Sequence, residues 1–464
     1  MPIGDIAPEI ALVLSAVAIV LLATFLPRAQ QRLCAFVALA GGLVALALVA
    51  IQLRTPVRET FSGLWVIDPA SIWARLLILA VTLAVTMMSI GWFRADQREG
   101  EYYALLLLSA LGAMILAGAT DLLQLVMGIL LSSVTGYTLA AYHRDWALSV
   151  EAGMKYFLIG ALANAVLMVG VALLFGLLGD SSYAAMAAAL GTTAPSPLLL
   201  VGFALTVVGV AFKLGAVPVH SWMPDVAEGA PAPVAAFLTI APKIGGAIAL
   251  ARLVTLFGGI DAGVRPLVAA LAVATMTLGN LAALWQSDVR RLLGWSSVSQ
   301  SGYALMAVTI VGLVPDATAA LLLFLAGYAA ANLTAFGAVI HLRGRTAIED
   351  YAGFAGRRPF TAAALALALA LLSLVGVPPL AGFVGKLLLF KTTIAAGYAW
   401  LAAIAVANTV ISLFYYLRVL ARMYFGERGG NARILGGWSG AALAIGAVGV
   451  TGIGIFAGLV LAAF

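Results

Sequence analysis

Three lysines of this sequence lie inside long apolar runs, where a charged side chain would be far from water. They are Lys213, Lys243 and Lys386. Ionisable groups are costly at membrane depth, and those that occur there usually serve a function. Lysine can release its proton when it is buried, whereas arginine keeps its charge. The three positions therefore predict a path for protons through an apolar environment.

The usage of basic residues separates these three lysines from the rest. The chain contains 20 arginines but only five lysines. The other two lysines, Lys155 and Lys391, lie near the ends of predicted helices, from which a long side chain can reach the polar headgroup region. Lys243 lies about eleven residues into its predicted helix, which is near the middle of a hydrocarbon core about 30 Å thick.

Polar residues near these lysines are further candidates for proton transfer. A short loop after Lys213 contains His220, Asp225 and Glu228. An imidazole can carry a proton near neutral pH, while carboxylates in such a loop either collect protons or cap the adjoining helices. Gln300 lies in a serine-rich run further along the chain, and it either lines a hydrated path or joins two helices by hydrogen bonds.

The composition places these residues in a membrane protein. Hydrophobic residues make up 64% of the chain and charged residues 9%, with a mean hydropathy of +1.10, whereas a soluble domain is about 45–50% apolar and about 25% charged. The net charge of +6 is spread over short loops, which is not typical of nucleic-acid binding. One cysteine, Cys34, and three scattered histidines predict neither a disulfide framework nor a metal or haem site.

Apolar runs of about 20 residues, long enough to cross a bilayer, predict an all-α polytopic protein with about fourteen transmembrane helices. Residues 1–464 then form a single membrane domain. The N-terminus lacks a basic region before the first run, so we expect that run to remain as a helix rather than to act as a cleaved signal. The predicted spans are near residues 7–27, 34–53, 71–93, 102–120, 122–142, 152–178, 197–222, 232–256, 264–286, 293–314, 318–341, 361–397, 400–424 and 437–463.

Helix breakers interrupt two of these spans, near residues 213–222 and 376–386. Pro218 breaks the first, and Pro378 and Pro379 break the second. Interrupted helices in both halves of a sequence are typical of transporters with inverted repeats and a transport path at the breaks. The predicted organisation is three helices in 1–100, five-helix repeats in 101–256 and 264–424, and a C-terminal helix in 437–463.

The distribution of arginines predicts the orientation, because loops on the cytoplasmic side are enriched in basic residues. The poorer set of loops contains Arg54, Arg58, Arg252, Arg265 and Lys391. With an even number of helices, both termini are then expected on the non-cytoplasmic side of a bacterial plasma membrane. The richer set contains Arg28, Arg32, Arg94, Arg98, Arg144, Arg290, Arg291, Arg343, Arg345, Arg357, Arg358, Arg422, Arg428 and Arg433.

Four segments resemble one known family. They read FKLGAVPVHSWMPDVAEGAPAPVAAF at 212–237, EAGMKYFLIGAL at 151–162, IEDYAGFAGRRP at 348–359 and LSLVGVPPLAGFVGKLLLF at 372–390. They are similar to the antiporter-like membrane subunits of bacterial NADH–quinone oxidoreductase (respiratory complex I), and most of all to the subunit N branch. The resemblance implies fourteen helices, inverted repeats and a central proton path. It also implies that Lys213, Lys243 and Lys386 match the family's membrane-embedded lysines.

Two positions depart from the family pattern. Leu130 stands where relatives carry a glutamate that pairs with the first lysine, and Gln300 stands where many carry histidine. Lys213 is therefore expected to lack its usual ion-pair partner. Glu151, at the start of the next predicted helix, is the first alternative source of a counter-charge.

Three functions remain open from the sequence. The chain is a proton-translocating subunit of complex I, a cation/proton antiporter subunit of the Mrp type, or a structural antiporter-like subunit that has lost pumping because of Leu130. No nucleotide-binding fingerprint occurs, so we expect no cofactor in this chain. NADH, FMN, iron–sulfur clusters and quinone would then belong to an assembly with other membrane subunits. Sodium-dependent transport would favour the second function.

Overall fold

The computed structural model describes residues 3–94, 96, 98–192, 196–259, 263–344, 346–358, 360–427 and 433–463. Within them the chain is a bundle of α-helices with two short two-stranded sheets. The helices are α1 Ala7–Phe25, α2 Arg32–Gln52, α3 Pro69–Trp92, α4 Glu99–Gly118, α5 Leu122–Ala140, α6 Ala147–Leu178, α7 Tyr183–Leu190, α8 Pro197–Leu214, α9 Trp222–Gly229, α10 Ala232–Leu238, α11 Ala241–Phe257, α12 Val264–Ala283, α13 Val289–Ile310, α14 Ala317–His341, α15 Thr361–Val375, α16 Ala381–Ala395, α17 Ala399–Phe425, α18 Gly437–Ile455 and α19 Ala457–Ala463. The strands are β1 Arg58–Thr60, β2 Trp65–Ile67, β3 Leu342–Arg343 and β4 Arg433–Ile434, paired β1 with β2 and β3 with β4, both antiparallel.

The described part of the chain contains 12 helices that are long and apolar enough to cross a membrane, or up to 13 if a bent pair counts as one span. The polytopic all-α prediction is therefore confirmed. The remaining predicted spans, 293–314 and 361–397, correspond to α13 and to the pair α15 and α16. α13 has 22 residues but is not among the 12, because it is too polar. The total of fourteen stays a prediction, and so do the repeats.

Both predicted interruptions are present. α8 ends at Leu214 and α9 begins at Trp222, while α15 ends at Val375 and α16 begins at Ala381. Each first helix is followed by a glycine with a left-handed backbone, Gly215 at φ 66° and Gly376 at φ 101°, a conformation that glycine adopts without steric cost.

A third interruption corrects the sequence prediction. The span expected at 232–256 is divided into α10 and α11, with Thr239 and Ile240 between them. Lys243 therefore lies in the first turn of α11, not in the interior of an uninterrupted helix.

The loops meet at two opposite ends of the bundle. At one end, Asp96 accepts a hydrogen bond from the His143 ring at 2.9 Å, and Arg343 donates to the carbonyl of Trp92 at 3.4 Å. At the other end, Arg252 forms a bidentate pair with Asp68 at 2.8 and 2.9 Å. Burial acts to raise the pKa of Asp68, but the Arg252 guanidinium outweighs it and the pKa lies below its usual value.

We call the first of these the arginine-rich end, because it holds residues of the richer set of loops. Arg345 and Arg428, which belong to that set, lie outside the described residues. The two broken helix pairs run in opposite directions between the ends. α8 and α9 run towards the arginine-rich end, whereas α15 and α16 run away from it.

Candidate functional site

Lys243 is held by oxygen atoms of two neighbouring helices. Its Nζ donates to the carbonyl oxygen and the hydroxyl of Ser297 at 2.6 and 2.8 Å, and to the Tyr328 hydroxyl at 3.1 Å. It also lies 4.3 Å from the centre of the Tyr328 ring, and the residue is only 1% exposed. No ion pair involves this lysine among the described residues, so every atom that holds it is neutral.

The break between α10 and α11 completes this site. Because the helix stops there, the carbonyl of Thr239 is available and accepts the Tyr328 hydroxyl at 2.8 Å. Asn332 donates to the Thr239 hydroxyl at 3.0 Å and to the Tyr328 hydroxyl at 3.2 Å. Sequence reasoning missed these three residues. The signal was the spacing of Tyr328 and Asn332, which places two polar residues on one face of an otherwise apolar helix.

Lys386 reaches back across the second break. Its Nζ donates to the last carbonyls of α15, those of Leu374 at 2.8 Å and Val375 at 3.1 Å. The amide of Gln300 donates to the same Leu374 carbonyl at 3.3 Å. These carbonyls have no partner within the helix and form the negative end of its dipole, so they suit a cation. Tyr303 adds its ring at 4.6 Å from the ammonium.

Lys213 differs from the other two. It lies in the last turn of α8 and is fully buried, yet its Nζ has no hydrogen-bond partner among the residues that the structure covers. Its nearest ring is that of Phe212, at 5.4 Å. Among the described residues no ion pair involves Lys213, and the expected lack of a partner stays a prediction.

The end of α8 is capped by neutral groups instead. The indole of Trp222 donates to the Phe212 carbonyl at 3.2 Å, and the Ser301 hydroxyl donates to the Leu214 carbonyl. Neither interaction involves the Lys213 side chain, although that side chain belongs to the same turn.

α13 connects the three lysine environments. The Ser301 hydroxyl, which caps α8, also lies 3.0 Å from the Ser297 carbonyl that accepts Lys243. The next residue towards the N-terminus, Gln300, bonds the carbonyl that accepts Lys386. All of α13 from Ser296 to Ile310 is buried. One polar helix therefore contacts both breaks and the central lysine.

Gln300 and the serines of this helix thus make helix–helix hydrogen bonds. Ser296 is bonded to the Tyr416 hydroxyl, while the Ser299 hydroxyl is buried without a partner in the described structure. The Ser299 hydroxyl therefore has both its donor and its acceptor positions available for a water molecule.

The polar loop after the first break joins a surface cluster. Asp225 pairs with Arg291 at 2.7 Å and with Lys155 at 3.2 Å. Glu228 also pairs with Arg291, at 2.7 Å, and Glu151 pairs with Lys155 at 2.6 Å. Glu151 is therefore engaged at the surface, and the structure does not support it as the counter-charge of Lys213. Glu151 pairs with Lys155 because the two residues are one helical turn apart, which brings their side chains together.

The positions of His220 and Leu130 are the last two that the sequence singled out. His220 is half-buried beside the Trp295 ring, with 5.8 Å between ring centres, and its Nδ1 lacks a partner among the described residues. Leu130 is a half-buried residue of α5 that packs against the apolar core. The described residues contain no group of three or more histidine, cysteine or acidic side chains placed to hold a metal ion.

Interrupted helices in both halves of a membrane protein are typical of transporter folds, and the comparisons place this chain in the class of antiporter-like membrane subunits. Residues 119–412 match the family model described as NADH:quinone oxidoreductase/Mrp antiporter, TM. A subunit of the Mrp complex from Dietzia sp. DQ12-45-1b shares the fold, with a TM-score of 0.87 and 22% identity over 100% of this chain and 96% of that one.

Closer relatives narrow the class. "NADH-quinone oxidoreductase subunit N 1" of Streptomyces griseus is 44% identical over 89% of this chain and 87% of its own length. Subunit N of Mycobacterium sp. (strain JLS) is also 44% identical, over 85% and 83%. A chain of respiratory complex I from Thermus thermophilus superposes with a TM-score of 0.84 and 30% identity over 98% of both chains. The chain belongs to the family of NADH–quinone oxidoreductase subunit N.

Proposed function

We propose that this chain carries a proton path of NADH–quinone oxidoreductase through Lys213, Lys243 and Lys386 along α13. It is a membrane subunit of that translocase, and it contributes to the reaction of the whole complex. The observation that carries the proposal is the setting of Lys243, a fully buried lysine whose partners are hydroxyl and carbonyl oxygens only.

Neutral partners leave the charge of this lysine free to change. A carboxylate would hold the ammonium form in a buried pair, and either partner would then be costly to neutralise. Hydroxyl groups can both donate and accept, so Ser297 and Tyr328 can bind the ammonium and, after rotation, the neutral amine. The Tyr328 hydroxyl also has the Thr239 carbonyl as an acceptor at 2.8 Å. The site therefore keeps its hydrogen bonds in both protonation states.

The surface cluster supplies a reasonable start for the path at the arginine-rich end. Asp225 and Glu228 lie between the half-buried His220 and Arg291 in the chain, and both carboxylates reach the surface of the bundle. Carboxylates and an imidazole near neutral pH can collect protons and pass them inward. We propose that these groups are less critical for pumping than Lys243 and Lys386.

The placement of the chain in the cell follows from the family. We propose that it lies in a bacterial plasma membrane among other membrane subunits of the complex, with the arginine-rich end facing the cytoplasm and both termini on the opposite side. NADH, FMN, the iron–sulfur clusters and quinone then bind elsewhere in the assembly. The neighbours of this chain are lipid and protein, not nucleic acid.

The test is proton pumping by membrane vesicles that contain the complex with Lys243→Ala. We expect pumping to fall by about tenfold or more, as for loss of a proton-transfer group, while the complex still assembles, because the cost of burying the charge disappears with the charge. Lys391→Ala, at an exposed position of α16, is the matched control and should pump normally. Full pumping by an assembled Lys243→Ala complex would exclude this lysine from the path.

One observation favours a second function, a structural subunit that no longer pumps. Leu130 replaces the family's glutamate, and Lys213 has no hydrogen-bond partner among the described residues. If pumping by the complex is unchanged in Lys243→Ala and Lys386→Ala alike, the structural function is correct.

A further inference from the structure

A polar pocket of about 370 Å³ opens at the arginine-rich end, between the ends of α3, α5 and α6 and the strand β3. Three arginines line it, Arg98, Arg144 and Arg343, and all three are exposed. None of them forms an ion pair with any described residue. Arg343 contacts Trp92 twice, since it stacks on the ring at 4.7 Å and donates to the carbonyl at 3.4 Å.

The other charged groups of the pocket do not neutralise these arginines. Its carboxylates are Asp96 and Asp145, so the arginines outnumber them three to two. Asp96 is engaged with the His143 ring at 2.9 Å. Burial lowers the pKa of His143 despite the raising effect of Asp96, which favours the neutral form of this ring. The pocket therefore presents an excess of guanidinium groups that lack an anion.

The pocket lies at the depth where lipid headgroups are found. Trp92 is the last residue of α3, and Trp146 immediately precedes α6. Tryptophans are enriched at the boundary between hydrocarbon and water. Directly beyond Trp146, α6 turns apolar side chains outward, with Leu148 58% and Met154 55% exposed. A molecule bound here would have basic groups at its head and an apolar wall along its tail.

We propose that this pocket binds the phosphate of an anionic phospholipid, whose acyl chains lie along the outer face of α6. Guanidinium groups bind phosphate oxygens in bidentate pairs, and basic pockets between membrane helices on the cytoplasmic side suit anionic headgroups. Arg98 and Arg144 are the main ligands, because Arg343 is partly committed to Trp92. This binding is independent of the proton path.

The test compares lipid retention by the purified complex with two pairs of substitutions. The first pair is Arg98→Gln with Arg144→Gln. The second pair is Arg28→Gln with Arg358→Gln, which removes the same amount of charge from two exposed arginines outside the pocket. After a detergent wash, phosphatidylglycerol is added and the bound lipid is measured by mass spectrometry. We expect the pocket pair to lower the affinity of the most tightly bound lipid by about thirtyfold, which corresponds to about 1 kcal/mol for each of the two arginines. The control pair should change it little.

Three results would overturn the proposal. They are an equal loss with both pairs, equal retention of phosphatidylcholine and phosphatidylglycerol, and displacement by inorganic phosphate at millimolar concentration, which would indicate a free anion instead of a lipid. If the complex with the pocket pair does not assemble, the proposal is tested on the wild-type complex by photolabelling. A photoreactive phosphatidylglycerol should then label the peptide containing residues 142–148, and labelling absent from that peptide would also overturn it.

Discussion

In both broken helix pairs the last carbonyls of the first helix need hydrogen-bond donors, and the two pairs use different donors. The last carbonyls of α8 are capped by the Trp222 indole and the Ser301 hydroxyl. Those of α15 are capped by the ammonium of Lys386 and the amide of Gln300. A helix end buried without such donors would be costly, because each lost bond leaves an unpaired polar group in an apolar environment.

This difference separates the roles of the two lysines at the breaks. At the second break the charge and the cap are the same group, so Lys386 holds the helix end together and would, in the proposed path, also carry a proton. At the first break neutral donors cap the helix, and Lys213 makes no hydrogen bond to any described residue. The break near Lys213 can therefore keep its structure without its lysine, while the break near Lys386 cannot.

The largest expected effect is that of Lys386→Met, which removes the cap and the charge together. The Val375 carbonyl loses its described side-chain donor, at about 1–3 kcal/mol, while the Leu374 carbonyl keeps the Gln300 amide. We therefore expect lower thermal stability of the complex and loss of most of its pumping. Lys386→Arg restores donors but keeps its proton, so it should recover stability without full pumping. Both are measured by thermal inactivation and by proton uptake in vesicles. Wild-type pumping by the arginine variant would mean that the site needs only a fixed charge.

A smaller effect is expected for Gln300→Leu, which removes one of the two side-chain donors to the Leu374 carbonyl. Because Lys386 still caps that carbonyl, we expect a loss of about 1 kcal/mol in stability and roughly a twofold decrease in pumping. Ser299→Ala, at a buried neighbour whose hydroxyl has no described partner, is the matched control. If the two variants behave alike, the second break does not depend on its amide donor.

The smallest effect is expected for Lys213→Met. This change removes a buried charge that has no bond to lose in the described structure, and its desolvation cost disappears with it. We expect pumping to decrease by less than about twofold, with assembly intact. Leu130→Glu is the companion variant, and it should make pumping more sensitive to Lys213→Met if the two side chains meet. Abolished pumping in Lys213→Met alone would show that this lysine works without a carboxylate.

The sequence was sufficient for the features that single residues determine. Pro218, Pro378 and Pro379 marked the two breaks because the backbone preference of proline is local. The third break was missed although Pro242 marked it. A proline in the interior of a helix removes a backbone hydrogen bond, and here it occupies the first turn of α11.

Contacts between distant helices could not be predicted in the same way. That Ser301 caps α8 while Gln300 reaches α15 depends on how three helices are rotated about their axes, and one sequence does not specify those rotations. The surface pair of Glu151 with Lys155 is of another kind, because it could have been predicted from the sequence. Lys155 follows Glu151 by four residues, and that spacing alone favoured a local pair over a distant one.

The polarity of α13 has a consequence for how this protein enters the membrane. A helix that is not apolar enough to cross by itself would not partition into lipid alone as it leaves the insertion machinery. α12 lies against it so closely that a side chain on Gly279 would come within 2.4 Å of the Ser299 nitrogen, and one on Gly302 within 2.5 Å of the Met276 nitrogen. We expect the two helices to be inserted together as a hairpin, so that the polar helix α13 is shielded by α12 during synthesis.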